Sequence, residues 1–179
     1  MKKILPVFLV LLFAALLAAG CTASPGGAPK QNTAQAGALT IKVLDVGQGD
    51  AILIRTPEQT IFIDTGDLDE HPKLEAALKK ENIKTVDKLI ITHPHADHLG
   101  GASVIFKNCE VKAVYDNGEP ATAKFYREYL KTIKAKNIPY KALVDGDVLD
   151  FGGGVSFRVL SPTAQMVKDG GKKNGKPNL

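Results

Sequence analysis

The chain has 179 residues, of which 44% are hydrophobic and 23% are charged, which allows one domain with its own core. The formal charge of +4 includes two lysines at the N-terminus and is too small to indicate a nucleic-acid partner by charge alone.

The first 20 residues have the pattern of a secretory signal peptide, with a basic start, an uncharged apolar run and small residues before Cys21. A cysteine directly after such a boundary resembles a bacterial lipobox, in which the thiol is lipidated. The departure is Ala18, where the commonest lipobox has Leu. We expect residues 1–20 to be removed and Cys21 to anchor an extracytoplasmic lipoprotein to the membrane. Plain secretion and an uncleaved membrane anchor are the alternatives.

The segment 21–38 is predicted to be a flexible tether, because it is rich in small and polar residues and lacks hydrophobic periodicity. With Cys21 lipidated, Cys109 has no disulfide partner and is expected to be a small buried residue. The domain should span residues 39–162. Residues 163–179 lose periodicity and are predicted to be an irregular tail or a truncated continuation.

The domain begins with alternating β-prone residues that predict three short strands at 39–44, 51–55 and 60–64. The loop after the first strand contains two glycines. It joins two strands and lacks the Lys-Ser/Thr of a phosphate-binding loop, so we expect no nucleotide cofactor. Its polar residues are interpreted either as substrate-side groups or as turn-forming groups: Asp45, Gln48 and Asp50.

Helices and strands then alternate along the chain, which indicates a mixed α/β domain. Helices are predicted at 72–82 and 122–137, with another starting in 99–106, and strands at 88–92, 110–115, 138–144, 147–151 and 155–160. His71 lies in a polar stretch before the first helix and is predicted to be a solvated loop residue.

Three of the four histidines lie within six positions, directly after the strand at 88–92. Residues two apart in an extended segment point the same way, so His93 and His95 can face one ion. Asp97 and His98 follow where the chain must turn, and they can reach a second ion. Imidazole and carboxylate are both ligands in zinc-type sites. This segment therefore predicts metal binding; an exposed polar loop is the alternative.

The segment His93-Pro94-His95-Ala96-Asp97-His98 resembles the signature of the metallo-β-lactamase superfamily. Residues 44–51 and 61–66 resemble the branch that includes the hydrolase-like domain of ComEC competence proteins, and the match covers about 39–162. The resemblance implies an α/β (α+β) fold, an αββα sandwich of two similar halves. Because no histidine follows His98, we expect a fold truncated after its first half. A degenerate protein is the alternative.

The resemblance also implies two divalent ions, with zinc expected first and manganese as the alternative. His93 and His95 would help to hold one ion, and Asp97 and His98 the other, with Asp97 also contacting the catalytic water. Asp64 would orient the ligand loop, although capping a turn would also explain it. Each complete site needs about three protein ligands, and this chain offers two per site.

The implied function is that of an extracytoplasmic, lipid-anchored, metal-dependent hydrolase. Its expected substrates are phosphoesters, with DNA as a candidate. A non-catalytic surface binding lipoprotein is the rival hypothesis. An amide hydrolase of the lactamase type is disfavoured by the motif at 45–51.

Overall fold

The computed structural model describes residues 38–169. The predicted signal peptide, Cys21 and nearly all of the tether lie outside the described residues, as does the end of the tail. Within residues 38–169, no helix has both the length and the apolar character needed to cross a membrane.

Short strands and helices alternate along the described chain. The strands are β1 (Thr40–Val43), β2 (Ile52–Arg55), β3 (Thr60–Ile63), β4 (Thr85–Val86), β5 (Lys88–Ile90), β6 (Glu110–Val111), β7 (Val114–Asp116), β8 (Tyr140–Ala142), β9 (Val148–Asp150) and β10 (Ser156–Arg158). The helices are α1 (His71–Lys80), α2 (Ala96–Leu99), α3 (Ala102–Asn108), α4 (Lys124–Ala135) and α5 (Ala164–Lys168), and a 3₁₀ turn covers Leu68–Glu70.

A six-stranded sheet in the order β1-β2-β3-β5-β7-β8 forms the centre of the fold. The first three strands are antiparallel neighbours, as the predicted meander requires, and β3, β5, β7 and β8 run parallel. Parallel strands end at the same edge of a sheet. The residues that follow β3 and β5 therefore meet there, which brings the segment after Ile63 beside the segment after Ile90.

The two faces of the sheet are buried by different elements. Leu53, Phe62 and Leu89 are fully buried and pack with α1, α3 and α4 on one face. Each such side chain contributes about 1.5–3 kcal/mol through burial. On the other face, Ile54 and Ile61 pack against residues of the β9–β10 hairpin and its flanks. Successive side chains along each of these strands therefore point into two different apolar cores.

Helix α4 is fixed to the sheet by apolar contacts and by one buried carboxylate. Tyr126, Tyr129 and Ile133 form its buried face. Tyr129 donates a hydrogen bond to Asp116 at the end of β7 (3.2 Å), and Tyr140 of β8 donates another (2.7 Å). Burial raises the pKa of both tyrosines, with Asp116 adding to the effect, so both stay neutral donors.

Several element boundaries differ from the sequence expectation. The helix expected at 72–82 begins one residue earlier, and the strand expected at 110–115 is two strands, because β6 pairs with β4 while β7 joins the large sheet. The expected irregular tail contains α5, whose N-terminus is capped by the Thr163 side chain. Cys109 is buried, 7% exposed, which confirms its predicted packing role.

Candidate metal centre

Three loops meet at the carboxyl edge of the parallel strands. The β1–β2 loop is joined to the histidine segment by the Asp50 amide, which donates to the Asp97 carbonyl (3.1 Å). The segment after β3 adds two bonds, from the amide and the hydroxyl of Thr65 to the His98 carbonyl (2.7 and 2.9 Å). Gly49 has a φ of +96°, and a Cβ there would lie 1.9 Å from the Asp97 carbonyl oxygen. Glycine is therefore required for this close approach.

Asp64 is the central anchor of these loops. It follows β3 directly, has a left-handed φ of 58° and is 2% exposed. Its Oδ1 accepts a bond from the Thr92 amide (2.8 Å), and its Oδ2 accepts from the Thr92 hydroxyl (2.7 Å) and from His98 Nδ1 (2.8 Å). One buried carboxylate thus fixes the start of the histidine segment and its third histidine, and both of its oxygens are used.

The imidazole rings of the segment form one cluster. The ring centroids of His93 and His95 are 4.5 Å apart, and those of His93 and His98 are 4.0 Å apart. His93 Nε2 lies 3.1 Å from His95 Nδ1. Two nitrogens bound to one tetrahedral zinc ion lie roughly 3.3 Å apart, from Zn–N bonds of about 2.0–2.1 Å. The pair therefore fits two ligands of a single ion.

The hydrogen bonds around Asp64 also fix which ring nitrogens carry protons. An ionised carboxylate only accepts, so His98 Nδ1 must donate to Asp64 and the lone pair of a neutral His98 is on Nε2. The Thr92 hydroxyl donates to Asp64 and can accept from His93 Nδ1 (3.1 Å), which leaves the His93 lone pair on Nε2. These two Nε2 atoms point away from Asp64 and can bind a cation.

The pKa of His93 is below its ordinary value. Burial is the largest cause, followed by the neighbouring positive charges that His98 and His95 would carry. His93 is therefore neutral at physiological pH, and the neutral imidazole is the form that binds metal.

A second group of donor atoms surrounds His98. Its Nε2 lies 3.7 Å from Asp97 Oδ2, and its Nδ1 lies 3.8 Å from Asp50 Oδ2. Ligand atoms of Asp50, Asp64 and His98 all lie within 4.8 Å of one another. Because Asp64 already accepts three hydrogen bonds, Asp97 and Asp50 are the carboxylates with free capacity here. A mixed imidazole and carboxylate set suits zinc and manganese.

The three polar residues of the β1–β2 loop have different surroundings. Asp50 joins the histidine cluster, as described above. Asp45 is exposed, and its Oδ1 accepts a bond from the Gly47 amide (3.3 Å), which is turn chemistry. Gln48 is exposed, and its backbone carbonyl accepts from the Asp67 amide (3.2 Å). Of the three, Asp50 is therefore the one whose side chain approaches the predicted ligands.

His71 is not a solvated loop residue, so that prediction is wrong. It is the first residue of α1, is half-buried, and has its Nε2 3.0 Å from the Gly100 carbonyl. This contact links the start of α1 to the residues that follow the histidine segment.

Sequence reasoning missed Thr65 and Thr92, whose hydroxyls link the loops at this edge. Their positions were the available signal: each lies at the end of a predicted strand, beside Asp64 and His93 respectively.

Comparison with known proteins identifies the family to which this chain belongs. The family model described as the metallo-β-lactamase superfamily matches residues 44–165, which is more than half of the chain. Members of this superfamily are metal-dependent hydrolases. The solved metallo-β-lactamase SMB-1, in complex with mercaptoacetic acid, superposes with a TM-score of 0.50 at 18% identity. That match covers 67% of this chain and 49% of the other, and it shows a shared fold.

Curated relatives include two competence proteins. ComE operon protein 3 of Bacillus subtilis (strain 168) is 31% identical, over 69% of this chain and 18% of the relative. Competence protein ComA of Neisseria gonorrhoeae is 30% identical, over 53% of this chain and 13% of the relative. The chain thus spans less than a fifth of the length of these relatives. From the family match and these relatives, the chain belongs to the metallo-β-lactamase superfamily, on the branch of the competence proteins.

Proposed function

We propose that this protein is a lipid-anchored hydrolase outside the cytoplasm that uses two divalent metal ions to cleave phosphodiester bonds, with DNA as its polymeric substrate. The observation that carries the proposal is the convergence of His93, His95 and His98 at one sheet edge, with Asp64 bonded to His98 and to Thr92 at the start of the segment. A cluster of imidazoles and carboxylates in a segment held at the edge of a sheet is a suitable ligand set for catalytic metals.

Each residue of the cluster has a proposed task. His93 Nε2 and His95 Nδ1 hold the first ion, and Asp97 and His98 Nε2 hold the second. Divalent ions bound there would lower the pKa of a water molecule and stabilise the oxygen that departs from phosphorus. The Asp97 carboxylate orients the attacking water and accepts its proton. Asp64 keeps the His98 proton on Nδ1, so that Nε2 remains a ligand.

The choice of substrate rests on the relatives. Two of them are competence proteins by name, and residues 44–51 and 61–66, which include the β1–β2 loop and the segment after β3, resemble the same branch. Asp50 of that loop is the proposed substrate-side group, because its Oδ2 lies 3.8 Å from His98 Nδ1, beside the histidine segment. A protein of the lactamase type would instead cleave an amide, and a degenerate binding protein would cleave neither bond.

The test is hydrolysis by the native protein, purified in detergent and stripped of metal with a chelator. We expect cleavage of a chromogenic phosphodiester to return with zinc or manganese. His93→Ala with His95→Ala should abolish it, whereas His71→Ala, which changes a histidine outside the cluster, should retain it. Cleavage of a chromogenic β-lactam alone, or no metal-restored hydrolysis of either compound, would contradict the proposal.

A further inference from the structure

The charge of the described chain is unevenly distributed. Residues 38–169 contain 17 basic and 19 acidic side chains, so their net charge is slightly negative. Residues 124–136 contain five of the basic side chains and one acidic side chain. The rest of the described chain therefore has an acidic excess of six. Helix α4 and Lys136, the residue that follows it, therefore form a local concentration of positive charge that the net charge of the described chain does not reveal.

Four of these cations form a continuous strip along α4: Lys124, Arg127, Lys131 and Lys134. At about 100° per residue, they lie within an arc of about 80° on the helix, and at 1.5 Å per residue the strip is about 15 Å long. All four side chains are exposed. Glu128 lies beside the strip, 3.3 Å from Lys131, but exposed ion pairs of this kind contribute little and leave the cation available.

The opposite face of α4 is fully engaged in the domain core. Tyr126, Tyr129 and Ile133 are buried against the sheet, and Leu130 is the one large apolar residue of α4 with substantial exposure, at 37%. A helix that binds at a bilayer surface inserts an apolar face. Since the outer surface of α4 is positively charged and lacks such a face, it fits an anionic partner that is bound by electrostatic attraction.

The strip lies on a helix that neighbours α2. Helix α4 packs against α2, which contains Asp97 and His98. A cavity of about 360 Å³ lies between them, lined by Leu99 and Gly100 on one side and by Lys124 and Phe125 on the other. A polyanion that lies along the strip would therefore extend from the helix that carries the proposed metal ligands.

We propose that this basic strip binds the backbone phosphates of DNA and holds the polymer beside the metal centre. The identity of the polyanion rests on the proposed function, while binding itself needs no metal and no hydrolysis. Phosphate contacts by lysine and arginine give affinity without sequence preference and fix the orientation of the nucleic acid. The acidic excess of the rest of residues 38–169 repels DNA and favours its binding on this side.

The experiment measures the binding of the full chain, in detergent and with a chelator present, to a short fluorescent DNA duplex at several salt concentrations. Four phosphate contacts predict a slope of log K against log salt of about −3 to −4. Replacing the four strip residues by Gln should weaken binding at least about tenfold and remove most of the slope. Arg127→Gln alone should reduce the slope by about 0.9.

The matched control replaces four exposed lysines elsewhere by Gln, which gives the same change in net charge: Lys79, Lys80, Lys84 and Lys107. It should bind DNA within about twofold of the unmodified protein if the strip is the site. Equal loss in the control, an unchanged slope in the strip variant, or binding to phosphatidylglycerol vesicles without binding to DNA would overturn the proposal. Failure to bind DNA by a protein that still cleaves the chromogenic phosphodiester would overturn it, together with DNA as the substrate, and leave the proposed metal-dependent phosphodiesterase activity standing.

Discussion

Replacing Asp64 by Asn tests whether this carboxylate organises the histidine cluster. The side chain is buried and accepts three hydrogen bonds, at 2.7, 2.8 and 2.8 Å. Hydrogen bonds to a charged group contribute about 1.5–3 kcal/mol each, and neutral ones about 0.5–1.5 kcal/mol. Asn keeps one acceptor oxygen but loses the charge, and its NH₂ cannot accept from His98 Nδ1. We therefore expect a loss of about 2–4 kcal/mol in the free energy of unfolding.

The same substitution should weaken metal binding, because it releases the tautomer of His98. Loss of a group that orients a metal ligand typically lowers affinity by about 10–100-fold. Urea unfolding in the presence of chelator measures the first effect, and competition with a chromogenic zinc chelator measures the second.

The control is Asp69→Asn, which removes an exposed carboxylate on the 3₁₀ turn. It should change the free energy of unfolding by less than about 0.5 kcal/mol and leave zinc affinity unaltered. If Asp64→Asn behaves like this control in both measurements, Asp64 does not anchor the cluster and the reasoning is refuted.

Three further outcomes follow from the structure and the sequence. Gly49→Ala should cost more than about 2 kcal/mol in urea unfolding, whereas Gly154→Ala, at a similar φ but in open space, should cost less; equal costs would exclude the close approach. A hydrogen bond from Lys42 is the main cause that lowers the pKa of Glu81 from 4.5. The ionised Glu81 therefore stabilises the folded state fully above this value, and that contribution is lost as pH falls through the folded pKa. Glu81→Gln should flatten the fall in the free energy of unfolding at acidic pH; an unchanged fall would contradict this role of Glu81. Labelled fatty acid should enter the wild-type protein and not Cys21→Ser; a lack of label in both would remove the lipoprotein hypothesis.

Sequence reasoning identified the features that local pattern encodes. The alternation of the early strands predicted the β1–β3 meander, and the β-prone run into His93 predicted a strand ending in a ligand segment. The rings of His93 and His95 do meet, with centroids 4.5 Å apart, although the strand ends at Ile90 and the backbone over residues 92–94 bends instead of staying extended as the two-residue spacing argument assumed. The features of the strands themselves follow from side-chain direction along a strand, so a single sequence is enough to predict them.

Features that depend on distant partners could not be predicted in this way. The strand expected at 110–115 divides because β4, about 25 residues earlier, pairs with its first part. Periodicity contains no information on such pairing. Likewise, the β1–β2 loop could be interpreted as substrate-side or turn chemistry, and only tertiary contact separates Asp50, near His98, from Asp45, which binds its own loop.

The same limit applies to charge. The total charge was too small to indicate a nucleic-acid partner, yet the helical register of α4 collects four cations on one surface while acidic residues lie elsewhere. Net charge is a sum over the whole chain, whereas a polyanion responds to the local distribution.

The central claim is that the histidine cluster is a metal centre, and crystals of the native protein grown with zinc would test it most directly. Anomalous diffraction should show one ion between His93 Nε2 and His95 Nδ1 and a second beside Asp97 and His98 Nε2. An absence of zinc at these atoms, with zinc bound at His71 or nowhere, would contradict the account.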